Sequence, residues 1–327
     1  MSEAYRIYYE NEEELSTKEP GVEIPLQKDI VWENKNSQCE QWKALSVFVF
    51  PHGLVLELAK QVTPEQYLAF YEKWKDVDEE QITDRQREQI EAESPLGECP
   101  TVLLTCNGKE LESDWTRGMG WYPSEILEKL EEKQGQEAEA CQQHYRLDPA
   151  YIWWIGRFYF RWKQPVNASE IQNIVLTLQA EEKRIYGEEC FILHTGDQIE
   201  FLHPVTGQTY RLDALEMEEE EMPMKQMPDD ESCYPRFVQT MLYKLTPDDP
   251  AVSLKDSSPA ERIYKKNPDG SQDDGPIGIF FIGKLTPKKT ERLAIGNLHY
   301  VPDAEVAWVP VFEVKDKEDI TVELQLA

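Results

Sequence analysis

The sequence predicts an α+β protein in two parts. An N-terminal mixed α/β-hairpin domain is placed over residues 1–148, and a β-rich domain, a sandwich or partly open barrel, over residues 149–327. Three observations carry this reading. Apolar residues among the first ~60 positions alternate at the two-residue period of a sheet. A capped amphipathic helix follows them. Beyond residue 149, short alternating runs recur between turn signals every ~8–12 residues.

Tyr5, Ile7 and Tyr9 alternate with Arg6 and Tyr8, the pattern of a strand. Residues 44–50 and 54–62 flank Pro51-His52-Gly53 as a hairpin, with Leu54, Leu56 and Leu58 on one face. Thr63 then caps a helix, with Pro64 at its first position and Gln66 where a capping box takes Glu or Gln. Tyr67, Phe70, Tyr71 and Trp74 fall at i, i+3, i+4 and i+7, one stripe for a core. Residues 82–93 permit a helix but are nearly all polar. Asn107-Gly108 joins 102–106 to 109–111 as a two-residue hairpin, since both turn positions need positive φ. Gly118-Met119-Gly120-Trp121 reads as loop, and a second helical stretch covers residues 124–141. Its pattern stops at Leu147-Asp148-Pro149, where the domain boundary is placed.

The second part opens with an aromatic strand over 151–162, and residues 171–180 alternate with Ile174, Leu176 and Leu178 on one face. Ile199, Phe201 and His203 lead into the turn Pro204-Val205-Thr206-Gly207, and Tyr210 and Leu212 lead out. Residues 237–245, 277–284, 306–314 and 320–326 read as further strands, with Pro310 making the third an edge or a bulge because it lacks an N–H. Between them, five Glu within 216–221 precede Met222-Pro223-Met224 and Pro228-Asp229-Asp230, the composition of a solvated loop at about residues 214–233.

Charge sets the class of partner. The chain holds 63 Asp+Glu against 34 Lys+Arg, a formal net of −29, while 40% of residues are hydrophobic. Such a surface repels phosphate backbones and anionic lipid, which argues against nucleic-acid and membrane binding. A chain of 327 residues exceeds the ~250–300 at which single cores stop growing, so two cores are expected. The first residues show no basic segment followed by an apolar one, and six scattered cysteines form no C-x-x-C pair. Reduced thiols and a cytoplasmic location are the expectation.

Four groups of residues carry candidate chemistry. Alternation sets Trp153, Arg157, Tyr159 and Arg161 on one strand face. Two guanidiniums beside aromatic rings suit a small anionic ligand bearing carboxylate or phosphate. The same arginines fit cross-strand ion pairs, which the abundance of acids favours. Cys190, His194 and His203, with Asp197, offer the sulfur and imidazole ligands that zinc prefers, although the spacing matches no standard zinc pattern. Turn-edge histidines and a buried thiol are the plainer reading. Glu218, Glu219, Glu220 and Glu221, within the acidic run, are candidates for a basic protein partner, with the neighbouring methionines adding adaptable contact. The stretch from Asp269 to Gly275 begins like a calcium loop, but its glycine falls one place late and its twelfth position is Phe280 rather than Glu, so Asn267-Pro268-Asp269-Gly270 reads as a plain turn. No nucleophile elbow, P-loop, dinucleotide fingerprint or H-E-x-x-H is present.

The stretch Phe201-Leu202-His203-Pro204-Val205-Thr206-Gly207-Gln208-Thr209-Tyr210-Arg211-Leu212, with Pro235-Arg236-Phe237 after the acidic run, resembles uncharacterised bacterial proteins of similar length. The hairpin strand 53–58 and the helix carrying Trp74 are similar to their N-terminal part. The resemblance implies a bacterial cytoplasmic origin and brings no activity. The function expected is therefore a non-catalytic binding or interaction module, for a basic protein partner or a small ligand. The alternatives are a metal-dependent hydrolase near His194 and His203, and a carbohydrate-binding sandwich using Trp153 and Tyr159.

Overall fold

A computed structural model describes residues 5–9, 17–35, 38–77, 82–97, 99–164, 166–221, 232–233, 235–258, 261, 264–266, 272–274, 285, 287–302 and 305–326. Among the described residues strands make up 48% and helices 15%, which replaces the expected α+β class with a mostly β protein built of antiparallel sheets. The helices are short: α1 (Pro64–Trp74), α2 (Asp84–Glu93), α3 (Ser124–Leu130) and α4 (Gln136–Tyr145). The single helix expected over 124–141 is interrupted where Glu131 takes a left-handed φ of 56° and ends α3. The chain divides into two compact units, one of Met1–Asp76, Glu91–Glu181 and Lys315–Ala327, the other of Val77–Ile90 and Glu182–Val314. Leu147-Asp148-Pro149, the sequence boundary, lies inside the first unit.

The first unit uses β1 (Val22–Glu33), β2 (Cys39–Val49), β3 (Gly53–Val62), β4 (Thr101–Cys106), β5 (Lys109–Glu110), β6 (Glu112–Trp121), β7 (Ile152–Arg161) and β8 (Ile174–Gln179), with β20 (Ile320–Leu324). They form a five-stranded sheet ordered β1-β2-β3-β7-β6 and a four-stranded sheet ordered β20-β8-β4-β5. Leu54, Leu56, Leu58, Phe158 and Phe160 of the first sheet share one core with Val102, Leu104, Leu176 and Leu178 of the second. Each such side chain contributes roughly 1.5–3 kcal/mol of burial. The opposite face of the larger sheet is also covered. Ala138 and Cys141 of α4 pack with Ala59, Trp153 and Ile155, while Ile7 and Tyr9 pack with Phe48, Val55 and Tyr159. Central strands β3 and β7 are consequently buried on both faces.

Residues 118–121, expected as loop, belong to edge strand β6, where Gly118 lies opposite Gly156. A Cβ at either glycine would run into the Trp154 indole, so the glycines make room for a ring rather than a turn. The predicted hairpin at Asn107-Gly108 forms with φ of 49° and 74°. The capping box at α1 also forms, but its aromatic stripe is only half-buried. Residues 5–9 pack as irregular extended chain. Beside β2 and β3, Glu40 Oε1 accepts from Lys60 Nζ at 2.8 Å and Lys317 Nζ at 2.9 Å.

The second unit contains β9 (Lys183–Tyr186), β10 (Phe191–Ile192), β11 (Gln198–Leu202), β12 (Thr209–Glu221), β13 (Ser232–Cys233), β14 (Phe237–Thr246), β15 (Val252–Asp256), β16 (Tyr264–Lys266), β17 (Gln272–Asp274), β18 (Arg292–His299) and β19 (Ala307–Val314). The sheet β11-β12-β14-β18 and the sheet of β19 with β15, β10 and β9 share a core of Phe201, Tyr210, Leu212, Met241, Val252, Trp308 and Phe312. A small sheet β13-β16-β17 accompanies them. β19 is central rather than an edge. Pro310 O accepts from Gly187 N at the junction between β9 and β10, so the missing Pro N–H falls in a gap of the ladder and the pairing to β15 is intact. The strand expected at 277–284 and the turn expected at 267–270 lie outside the described residues, as does the stretch 269–275 apart from 272–274 in β17.

Candidate functional site

Of the residues expected to face a ligand, Arg157, Trp153 and Tyr159 are interior. Arg157 of β7 stands directly opposite Glu57 of β3, and its Nε donates to Glu57 Oε1 at 2.7 Å. Tyr5 and Tyr145 hydroxyls each donate to Glu57 at 2.6 Å, and Arg157 Nη2 donates to the Tyr5 oxygen at 3.0 Å. Arg157 Nη1 also meets Glu137 of α4. Burial and the adjacent Glu57 carboxylate push both tyrosines far above their ordinary range. Burial alone would weaken the charge on Arg157, but Glu57 holds it firmly ionised. Trp153 Nε1 donates to Asp148 O at 2.9 Å. Tyr159 stacks on Trp115 at 4.7 Å. Arg161 is partly open and donates to Asp114 Oδ1 at 2.8 Å. This strand thus carries the cross-strand ion pair, and the network clamps α4 and the N-terminal segment to the sheet.

Cys190 and His194 are exposed and His203 is half-buried. His194 N–H donates to Asp197 Oδ2 at 2.7 Å, closing a local turn. Among the described residues no group of three His, Cys, Asp or Glu side chains is placed to hold a metal ion.

Within the expected acidic loop, Glu216–Glu221 instead continue β12, paired residue by residue with β14. Glu220 is buried opposite Val238, and Glu221 lies 3.4 Å from Arg236. Glu218 is half-buried and Glu219 exposed. The Met- and Pro-rich residues 222–231 lie outside the described residues. A run of like charges hides the period of two, which is why composition pointed to a loop.

His203 belongs to a different arrangement. Together with Phe191, Phe201, Leu202, Pro310 and the glutamates 188, 189 and 200, it lines a cleft of about 480 Å³, within the ~300–1,000 Å³ of small-ligand sites. Phe201 stacks on Tyr210 at 5.8 Å and meets Phe312 edge-on at 6.0 Å, so its ring is fixed from beneath. Phe191 adds a tilted ring 6.4 Å from Phe201. The turn after β11 folds back on His203, whose Nδ1 accepts from Val205 N at 3.1 Å and Thr206 N at 3.4 Å. The His203 ring lies 4.5 Å from the Phe312 ring, centroid to centroid. Gly187 N–H donating to Pro310 O at 2.8 Å draws the β9–β10 connection, with Glu188 and Glu189, to the rim. Beside the cleft, Tyr210 donates to Asp249 Oδ2 at 2.7 Å. That bond is the main cause holding the Asp249 carboxyl below its usual range, while burial pushes the Tyr210 hydroxyl up to about 12.

Three carboxylates above an aromatic floor suit a positively charged group. Phe201 and His203 share a strand face and could be paired from alternation, but Glu188, Glu189 and Pro310 reach the site only through tertiary structure. Compared with known proteins, the chain matches no family model, no curated protein and no solved structure.

Proposed function

We propose that the chain is a non-catalytic binding module for a basic protein partner, and that the cleft receives a Lys or Arg side chain of that partner. One observation carries the reading. The cleft is lined by three glutamates, and among the described residues no Lys or Arg lines it. A cation over an aromatic ring gains roughly 0.5–2 kcal/mol, more as it is desolvated, and the carboxylates supply charge complementarity. The net charge of −29 extends the same preference to long-range steering.

Binding of an Arg/Lys-rich peptide, measured by calorimetry at rising salt, tests this. The affinity should fall with salt, and E188Q/E189Q/E200Q should weaken it by about tenfold or more. Equal affinity for a peptide with Gln in place of every basic residue, or no effect of the triple variant, would overturn the reading.

A further inference from the structure

We infer that the basic partner binds as an extended strand added to the free flank of β11, which rests on the basic-partner cleft. β11 ends its sheet, and among the described residues only β12 pairs with it. At its two ends, Ala214 N–H donates to Asp197 O at 2.9 Å and His203 N–H to Gln208 O at 2.8 Å. Hydrogen-bonded residues alternate in an antiparallel pair, so 197, 199, 201 and 203 turn their backbone groups toward β12. Gln198, Glu200 and Leu202 turn theirs to the open flank. Those N–H and C=O groups are what an incoming strand pairs with.

Proteins usually blunt such a flank with bulges, lysines or shortness. β1, β6 and β18 each carry a register shift against their neighbour. β9 and β15 contain lysine, while β5, β10, β13 and β17 span only two or three residues. By contrast, Gln198-Ile199-Glu200-Phe201-Leu202 contains no Lys, Arg or Pro and pairs with β12 without a shift. β20 is as regular, but the acidic cleft borders β11 and not β20.

The side chains along that flank define what the strand carries. Phe201 is buried, Glu200 and Leu202 are exposed, and all three line the cleft. Arg211 stands opposite Glu200 in β12, but its guanidinium turns to Asp213 Oδ2 at 3.3 Å. The Glu200 carboxylate is thus left to the incoming strand. Side chains of an added strand alternate between two faces. On the cleft face a Lys or Arg meets Phe201 with Glu188 and Glu189. On the outer face, cross-strand pairing favours a basic residue beside Glu200 and an apolar one beside Leu202. The partner segment is accordingly extended, basic and interrupted by a β-forming apolar residue.

Amide hydrogen exchange on the full chain tests this, with a lysine–valine heptapeptide of that arrangement as the probe. Bound peptide should slow exchange at 198, 200 and 202 by about tenfold or more, with 199 and 201 unchanged because they already bond β12. Peptides methylated on alternate backbone nitrogens give a second readout. Methylating one alternate set should weaken binding by about tenfold or more, and methylating the other should leave it close to the parent peptide. If the plain peptide binds with falling affinity at high salt, but 198, 200 and 202 exchange as before, strand addition is refuted and the cleft reading survives. Equal affinities of the two methylated peptides have the same meaning. If the plain peptide does not bind, the cleft reading fails and strand addition with it. Protection of 198, 200 and 202 that rises with protein concentration alone would assign the flank to a second copy and overturn the inference.

Discussion

Glu40 shows how much of the charge logic resides in single residues. Its Oε1 serves two ammonium groups, and its Oε2 accepts the Trp42 indole N–H at 3.0 Å. Lys60 lies 5.7 Å from the Trp42 ring and Lys317 4.9 Å from that of Trp32. Burial disfavours the ionised carboxyl, but Lys60 first and then Lys317 outweigh it and hold the group at about 2. A depressed acid contributes its stability above the ordinary carboxylate range and loses it as pH falls through the folded value. Acid unfolding should therefore contain a Glu40-dependent loss between about pH 4.5 and 2, on the order of 3 kcal/mol. Comparing stability curves of the parent and Glu40→Gln measures it, since the variant should lack that loss. At this scale the sequence was half legible. Alternation in β7 set Arg157 on the face with Trp153 and Tyr159, but nothing in residues 151–162 points to Glu57, Tyr5 or Glu137, which lie far away in the chain. The exposed-ligand reading failed because alternation cannot say that a strand is covered on both faces.

Among elements, those set by local stereochemistry were the readable ones. The capping box of α1 and the hairpin at Asn107-Gly108 depend on neighbours a few residues apart, and both formed as expected. The alternation of β8 was plain because it is buried on one face only. Three elements followed longer-range demands. β6 and β7 each carry a glycine, Gly118 and Gly156, against the Trp154 indole, the acidic half of β12 is held by pairing to β14, and the helical stretch 124–141 breaks at Glu131. The last case is testable, because a non-glycine residue in the left-handed region costs roughly 1 kcal/mol. Glu131→Gly should raise stability by about 0.5–1 kcal/mol, read from the denaturant midpoint at constant slope. A decrease would show that the Glu131 side chain contributes more than its backbone costs.

For the whole molecule, the sequence reading divides the chain at a single point, whereas the compact units interleave along it. The first unit is assembled from three separated segments and the second from two, Val77–Ile90 and Glu182–Val314, which fall in the gaps between them. Hydrophobic period and turn chemistry say nothing about a strand returning from so far along the chain, so a sequential division was the natural reading. Nor was the cleft at Phe201 and His203 legible beyond that pair, because Glu188, Glu189 and Pro310 become its neighbours only after folding. What was legible at this scale is charge, and it still limits the classes of partner worth testing.

The position of β20 has a consequence for how the protein is made. β20 pairs with β8 along its full length, so that Thr177 and Thr321, 144 residues apart, share a hydrogen bond. During synthesis, the ribosome must produce all of 182–314 before residues 315–324 emerge. At ~5–20 residues per second this leaves β8 with an unoccupied flank for on the order of ten seconds. In that interval β8 is a strand edge open to mispairing, and the first unit closes after the second has been synthesised, not before it. A chain ended at residue 314 holds the protein in that interval. Hydrogen exchange should then show lost protection at 174–179, with the amides of β2, β3 and β7 still protected. Unchanged protection at 174–179 would mean that β4 alone suffices to order the smaller sheet.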